Sequence, residues 1–103
     1  MIITVFRTRL LPEAAEAQSE YMQWSKRMSD IAVTMPGYVS HKGFVAEDGE
    51  RLTLVEFESE EGQHAWSVHP EHREAKKNGR QRFYAEYCVQ VCSLVRESKF
   101  RRN

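Results

Sequence analysis

The stretch that most constrains the fold of this chain runs from Ala14 to Met35. Ala14, Ala17, Tyr21, Trp24, Met28, Ile31 and Met35 recur at spacings of three and four, while Glu16, Glu20, Lys26 and Arg27 fall elsewhere. Apolar residues on that period form one stripe, which predicts a helix that lays a single face on another layer. Leu11-Pro12-Glu13 supplies the start, with proline near the first turn and an acid close to the positive end of the helix dipole. Pro36-Gly37 supplies the stop and turns the chain. A helix of about six turns with one apolar stripe needs a surface to cover.

The flanking segments supply that surface. Met1–Arg9 alternates and is rich in β-branched residues, predicting a first strand. Tyr38–Ala46 and Arg51–Glu58 predict a second and a third. Glu47-Asp48-Gly49-Glu50 joins them, with Asp-Gly as a tight-turn signal. Ser59 is placed to cap a short helix over residues 60–67. His69 precedes a proline and is expected to be extended. Pro70 opens another short helix, which Gly79 is expected to close. Phe83–Val95 reads as a long fourth strand. The order strand, helix, strand, strand, helix, strand is the split βαβ pattern. It predicts an α+β, ferredoxin-like domain with one antiparallel sheet and helices on one face.

The fourth strand bears on the other face. Strict alternation puts Phe83, Ala85, Tyr87, Val89, Val91 and Val95 on one side, and Tyr84, Cys88, Cys92 and Leu94 on the other with Glu86 and Gln90. Tyr87 is therefore expected to face the helices and Tyr84 the opposite surface. A strand with apolar residues on both sides is buried on both. A second copy of the chain is the expected cover, giving a homodimer packed sheet to sheet as a barrel.

The 103 residues make one domain, 1–103, with enough chain for one core and a last few residues expected to be a flexible tail. Fifteen basic and fifteen acidic side chains cancel, so no electrostatic footprint for nucleic acid or an anionic membrane is expected. The basic run Lys99-Phe100-Arg101-Arg102 belongs to the tail. No run approaches the roughly 20 apolar residues that span a bilayer. Met1–Phe6 alternates and lacks the basic start and cleavage site of a signal peptide, so a cytoplasmic location is expected. Cys88 and Cys92, four residues apart on one strand, are about 13 Å from each other. A disulfide within the chain needs Cα atoms within about 7 Å. Buried free thiols are expected, with a cross-subunit bridge or a redox pair as alternatives.

Chemistry-bearing residues concentrate between Ala65 and Tyr87. Trp66, His69, His72, Tyr84 and Tyr87 combine a stacking indole, two imidazoles that ordinarily titrate near neutrality, and phenols. That combination points to a ligand pocket without by itself naming the ligand. His69 is either a pocket residue or the cap of the helix carrying His72. Trp24, Tyr21 and Met28 are core, or the helical wall of the same cavity. Arg7 and Arg9 share a side of the first strand, where an arginine can hold an acidic group or enolate bidentately or pair with Glu56 or Glu58. His41 and His64 are read as surface or half-buried. Two histidines fall short of the three protein ligands of a catalytic zinc, so no metal is expected. No glycine-rich phosphate loop is present, and no flavin or nicotinamide site is expected.

Four pieces in order carry a family resemblance: Met35-Pro36-Gly37-Tyr38 after the helix, Leu54-Val55-Glu56-Phe57-Glu58-Ser59 at the end of the hairpin, Ala65-Trp66 with His69-Pro70-Glu71-His72, and Phe83-Tyr84 before the last strand. The chain resembles the antibiotic biosynthesis monooxygenase (ABM) domain family of dimeric α+β barrels over nearly its whole length. The resemblance implies a cofactor-independent monooxygenase that oxidises a quinol, phenolic or polyketide-like aromatic with O2. It implies a catalytic, pocket-lining role for Trp66; His72, at a position where the family's polyketide oxygenases carry a tyrosine, is read as the catalytic general base from its imidazole, and Trp66, His69, Tyr87, Trp24 and Arg7 are the candidate substrate contacts. The alternative is a non-catalytic binding protein of the same fold, for a small molecule or haem. Two positions depart from the family. Gly62 stands where its oxygenases place an asparagine. Lys76 stands where its haem-degrading members place a histidine, and the first strand lacks their asparagine.

Overall fold

The computed structural model describes residues 1–12 and 18–102. Glu13, Ala14, Glu16 and Ala17 of the predicted first helix lie outside the described residues. The elements are β1 (Ile2–Leu10), α1 (Gln18–Thr34), β2 (Tyr38–Val45), β3 (Arg51–Phe57), α2 (Glu60–Ser67), α3 (Pro70–Asn78) and β4 (Tyr84–Ser93). The four strands form one sheet in the order β2-β3-β1-β4. Every neighbouring pair is antiparallel. This is the α+β, ferredoxin-like arrangement that the element order predicts.

Local chemistry accounts for the joints. Gly37 takes φ +78° and Gly49 φ +90°, a region side chains resist, so glycine lets the chain leave α1 and close the β2–β3 hairpin. Ser59 Oγ accepts the Gly62 N–H at 3.4 Å and caps α2. Along α1 the predicted stripe turns inward: Ile31 is buried and Tyr21, Trp24 and Met28 are half-buried, while Met22, Lys26 and Arg27 face out. The core gathers Ile31, Ala32, Val55, Phe57 and Trp66, with Met28, Met35 and Tyr38 packed against it. Phe57 is fully buried, and burying a side chain of that size contributes about 1.5–3 kcal/mol.

Three expectations about strand 4 and its approach are corrected. Arg9 pairs with Glu86 but Leu10 pairs with Tyr84, so Ala85 is an extra residue in β4. A bulge resets the alternation. Tyr84 and Tyr87 therefore share the helix-facing side, with ring centres 5.9 Å apart, instead of facing opposite ways. Gly79 does not close α3. Its φ is −58° and the chain makes one wider turn over Gly79–Phe83, in which the Tyr84 N–H reaches back to Gly79 O. A Cβ on Gly79 would stand 2.4 Å from Tyr84 Cε2, so any side chain there would have to displace the tyrosine ring. Cys88 and Cys92 are exposed rather than buried, because they lie on the face of the sheet without helices. Register puts Ile3, Val5, Leu52 and Leu54 on that same face. Among the described residues no helix is long and apolar enough to cross a membrane.

α2 crosses the end of α1 at very short range. A Cβ on Gly62 would stand 2.1 Å from Pro36 O and 3.2 Å from Phe57 Cδ1. Alanine in place of a mid-helix glycine ordinarily gains up to about 1 kcal/mol. Here it meets backbone, which cannot swing aside, and overpacking of that kind costs about 1–3 kcal/mol. Gly62→Ala is expected to lower the thermal midpoint by several degrees. Gly43→Ala, with nothing within 4 Å of its Cβ, is expected to leave it nearly unchanged. Equal midpoints for the two variants in calorimetry would contradict the close approach.

Candidate active site

Between the sheet and the helices lies a cavity of about 320 Å3, within the range of small-molecule sites, roughly 300–1,000 Å3. β1 and β3 contribute Thr4, Phe6, Thr53 and Val55; β4 contributes Tyr84, Tyr87 and Val89. The helical side contributes Met28, Trp66, His72, Ala75, Lys76 and Arg80. A smaller lobe of about 110 Å3 continues toward α1, sharing Trp66, His72 and Tyr84 and adding Tyr21 and Trp24. Among the described residues that line the main lobe there is no carboxylate.

Trp66 is held by three elements. Its Nε1–H donates to Met28 O at 3.3 Å. Its ring lies 5.9 Å from that of Phe57, and 4.5 Å from that of His72 in an edge-on contact. His72 is placed by the start of α3. His69 Nδ1 accepts the Glu71 N–H at 3.1 Å, and Pro70 occupies the first turn. Glu71 then takes both Nε and Nη2 of Arg27, at 2.9 and 2.8 Å, tying α3 to α1. That pair is exposed, so its effect is more on orientation than on stability.

Burial pushes the His72 imidazole down to about 4, with Lys76 and His69 adding to the shift. It does not titrate near neutrality as the sequence led one to expect. His72 Nδ1 is sealed from solvent without a hydrogen-bond partner, as is Thr4 Oγ1. Burial, and then Tyr21, push the Tyr84 phenol well above its ordinary range. Both groups are neutral at pH 7. Lys76 is lowered by burial first and by Arg80 and Arg73 after it.

The other expected site residues divide. Tyr87 lines the main lobe, 39% exposed at its mouth. Trp24 lines the smaller lobe. His69 lines neither and is the cap of α3. Arg7 is not in the cavity, because alternation along β1 turns it away from Phe6 and Thr8. It pairs with Glu50 through two hydrogen bonds of 3.2 and 3.0 Å. Arg9 pairs with Asp48 and Glu86, and neither arginine takes the expected Glu56 or Glu58. Sequence reasoning overlooked Thr4, Lys76 and Arg80 as lining residues. The last two follow His72 at steps of four, a helical period that extends its face by two turns.

The unfolded chain protonates His72 near 6.5, and the folded chain resists protonation down to about 4. The unfolded state therefore binds more protons between those values, and stability falls as pH drops through that window. From pH 7 to 4.5 this contribution is on the order of 2 kcal/mol. His72→Phe removes it. Urea unfolding at the two pH values is expected to show a smaller loss in the variant than in the parent protein. Equal losses would mean an imidazole open to water.

No family model matches the chain. It is 29% identical over 89 residues to the uncharacterized protein YqjZ of Bacillus subtilis strain 168, covering 86% of this chain and 78% of that one. A proposed antibiotic biosynthesis monooxygenase from Deinococcus radiodurans superposes with a TM-score of 0.81 at 11% identity, over 98% of this chain and 99% of that one. SnoaB, a cofactor-independent oxygenase from Streptomyces nogalater, superposes with a TM-score of 0.74 at 12% identity, over 93% and 94%. The sheet order, the helical layer and these superpositions agree: the chain has the fold of the antibiotic biosynthesis monooxygenase structures.

Proposed function

We propose that the protein binds a planar aromatic in the Trp66–His72 cavity and oxidises it with O2 directly, needing no cofactor. The observation that carries this reading is the cavity itself: apolar walls, one edge-on Trp66–His72 pair, two tyrosines, and cations without carboxylates. The reaction class is oxidation of an activated ring methylene to a carbonyl. Loss of a proton leaves an enolate, which reduces O2 and forms a C–O bond. Loss of water then leaves the ketone, so CH2 plus O2 becomes C=O plus H2O. The substrate supplies all the electrons.

The residues have distinct tasks. Trp66 and Phe6 hold the ring plane and keep water out. His72, held neutral by burial, donates its ring N–H to the enolate oxygen rather than acting as the base. Lys76 and Arg80 favour the anion over the neutral substrate. The proton leaves to water at the mouth beside Tyr87.

Anthrone tests the reading, because its oxidation to anthraquinone consumes one O2 and releases one water. The protein is expected to accelerate oxygen uptake over buffer, with quinone formed in equal amount. His72→Phe is expected to lose at least about tenfold in kcat/KM, since removing one preorganised donor costs that or more. No acceleration with anthrone or with a panel of quinols, by protein shown to be folded, would sink it. Gly62 favours a second reading, capture without turnover, because the family's asparagine has no room beside Pro36 O. Binding without oxygen uptake would establish that alternative.

The reading includes a cytoplasmic homodimer formed through the open face of the sheet. Ile3, Val5, Leu52 and Leu54 lie there, with Phe44 paired beside Leu52 and 44% exposed. Light scattering after gel filtration is expected to give twice the 12.1 kDa of one chain. Val5→Glu with Leu54→Glu should return it to one chain. A monomer in the parent protein would refute the assembly.

A further inference from the structure

We infer that the mouth of the cavity recognises a carboxylate on the aromatic ligand, held between Lys76 and Arg80. This rests on the reading of the cavity as a ligand site and names the class of ligand it takes. Both side chains line the main lobe, four residues apart where α3 runs into the turn after it. Lys76 Nζ contacts Ser67 Oγ at 3.4 Å, a neutral partner.

Among the described residues neither cation has an acid to neutralise it. The ion pairs among the described residues engage Arg7, Arg9, Lys26, Arg27 and Lys99, and none involves Lys76 or Arg80. The charged groups acting on Lys76 are Arg80 and Arg73, both of the same sign. In a chain whose fifteen acids equal its fifteen bases, such a concentration is not forced by composition. α3 satisfies charge elsewhere, since Glu71 takes Arg27 in a bidentate pair.

Cations gathered at the rim of an apolar cavity repel one another until an anion arrives. A neutral phenol leaves that repulsion in place. A free inorganic anion relieves it but leaves the apolar interior empty. A ring bearing a carboxylate at one edge does both: the ring fills the space beside Trp66 and the acid meets the cations. Arg7, the arginine that strand alternation first offers for an acid, sits on the other face with Glu50.

A matched pair of air-stable ligands tests this by calorimetry: 1-hydroxy-2-naphthoate and 1-naphthol, which differ by the carboxylate. The parent protein at low salt is expected to bind the acid at least about tenfold more tightly. Raising ionic strength from about 0.02 to 0.5 M should erode the preference. The double variant Lys76→Met, Arg80→Met keeps the apolar stems, and circular dichroism and melting check its fold. Its ratio of affinities is expected to fall to within about twofold. Equal binding by the parent protein, or a preference that survives in the folded double variant, overturns the inference. Binding of neither ligand overturns it together with the cavity reading beneath it. A carboxylate preference without anthrone oxidation leaves this inference standing and removes the oxygenase reading alone.

Discussion

Trp66 lies against Phe57 of β3, and its indole N–H reaches across to the Met28 carbonyl of α1. The same ring meets the edge of His72 on α3. One side chain on an eight-residue helix therefore touches the sheet and both other helical segments. Cutting such a residue to alanine costs about 3–5 kcal/mol, against a total stability of roughly 5–15 kcal/mol for a domain. The consequence reaches the cavity. Its wall is built from the same contacts that hold the layers together.

Two close approaches set the limits of that space. Gly62 lets α2 descend onto Pro36 O, and Gly79 lets the chain pass over the ring of Tyr84. Each glycine replaces a side chain by backbone contact. At Gly62 this explains why the resemblance to the oxygenases stops there. A longer side chain has no volume to occupy, so any polar help for a substrate must come from elsewhere in the wall. Thr4, Gln63, His72, Lys76 and Arg80 are among the polar residues of that wall.

The fold was legible because each element announced itself by period and cap. The α1 stripe, the Ser59 cap, the Asp-Gly turn and the proline at the start of α3 all lie where the residues place them. What escaped depends on one residue out of register or on partners distant in sequence. Ala85 adds a single residue, and the direction of Tyr84 before it reverses. Nothing in Tyr84-Ala85-Glu86-Tyr87 marks that extra residue. Gly79 carries the usual sign of a helix end, but its reason is a ring five residues on. The partner of Arg7 is set by the hairpin that brings Glu50 beside it, not by strand alternation. Trp66, Trp24, Tyr87 and His72 were legible as cavity residues, and the environment that shifts His72 was not. Desolvation is a property of the packed layer, and no spacing encodes it.

The charge state of His72 and the lack of a carboxylate among the described lining residues are linked. Protonating the imidazole would add a cation to a region that already holds Lys76 and lies near His69, with no carboxylate among the described lining residues to offset it. Burial and repulsion therefore act in one direction, and the ring stays neutral. An anionic ligand reverses the second contribution. A carboxylate or enolate at the rim attracts a proton to His72 by the same Coulomb interaction that now repels it. The basicity that an isolated histidine would show at neutral pH thus returns in part when the site is filled. In the proposed reaction the imidazole donates to the neutral ligand and holds a proton more firmly as charge develops on the oxygen, which stabilises the oxyanion while it forms.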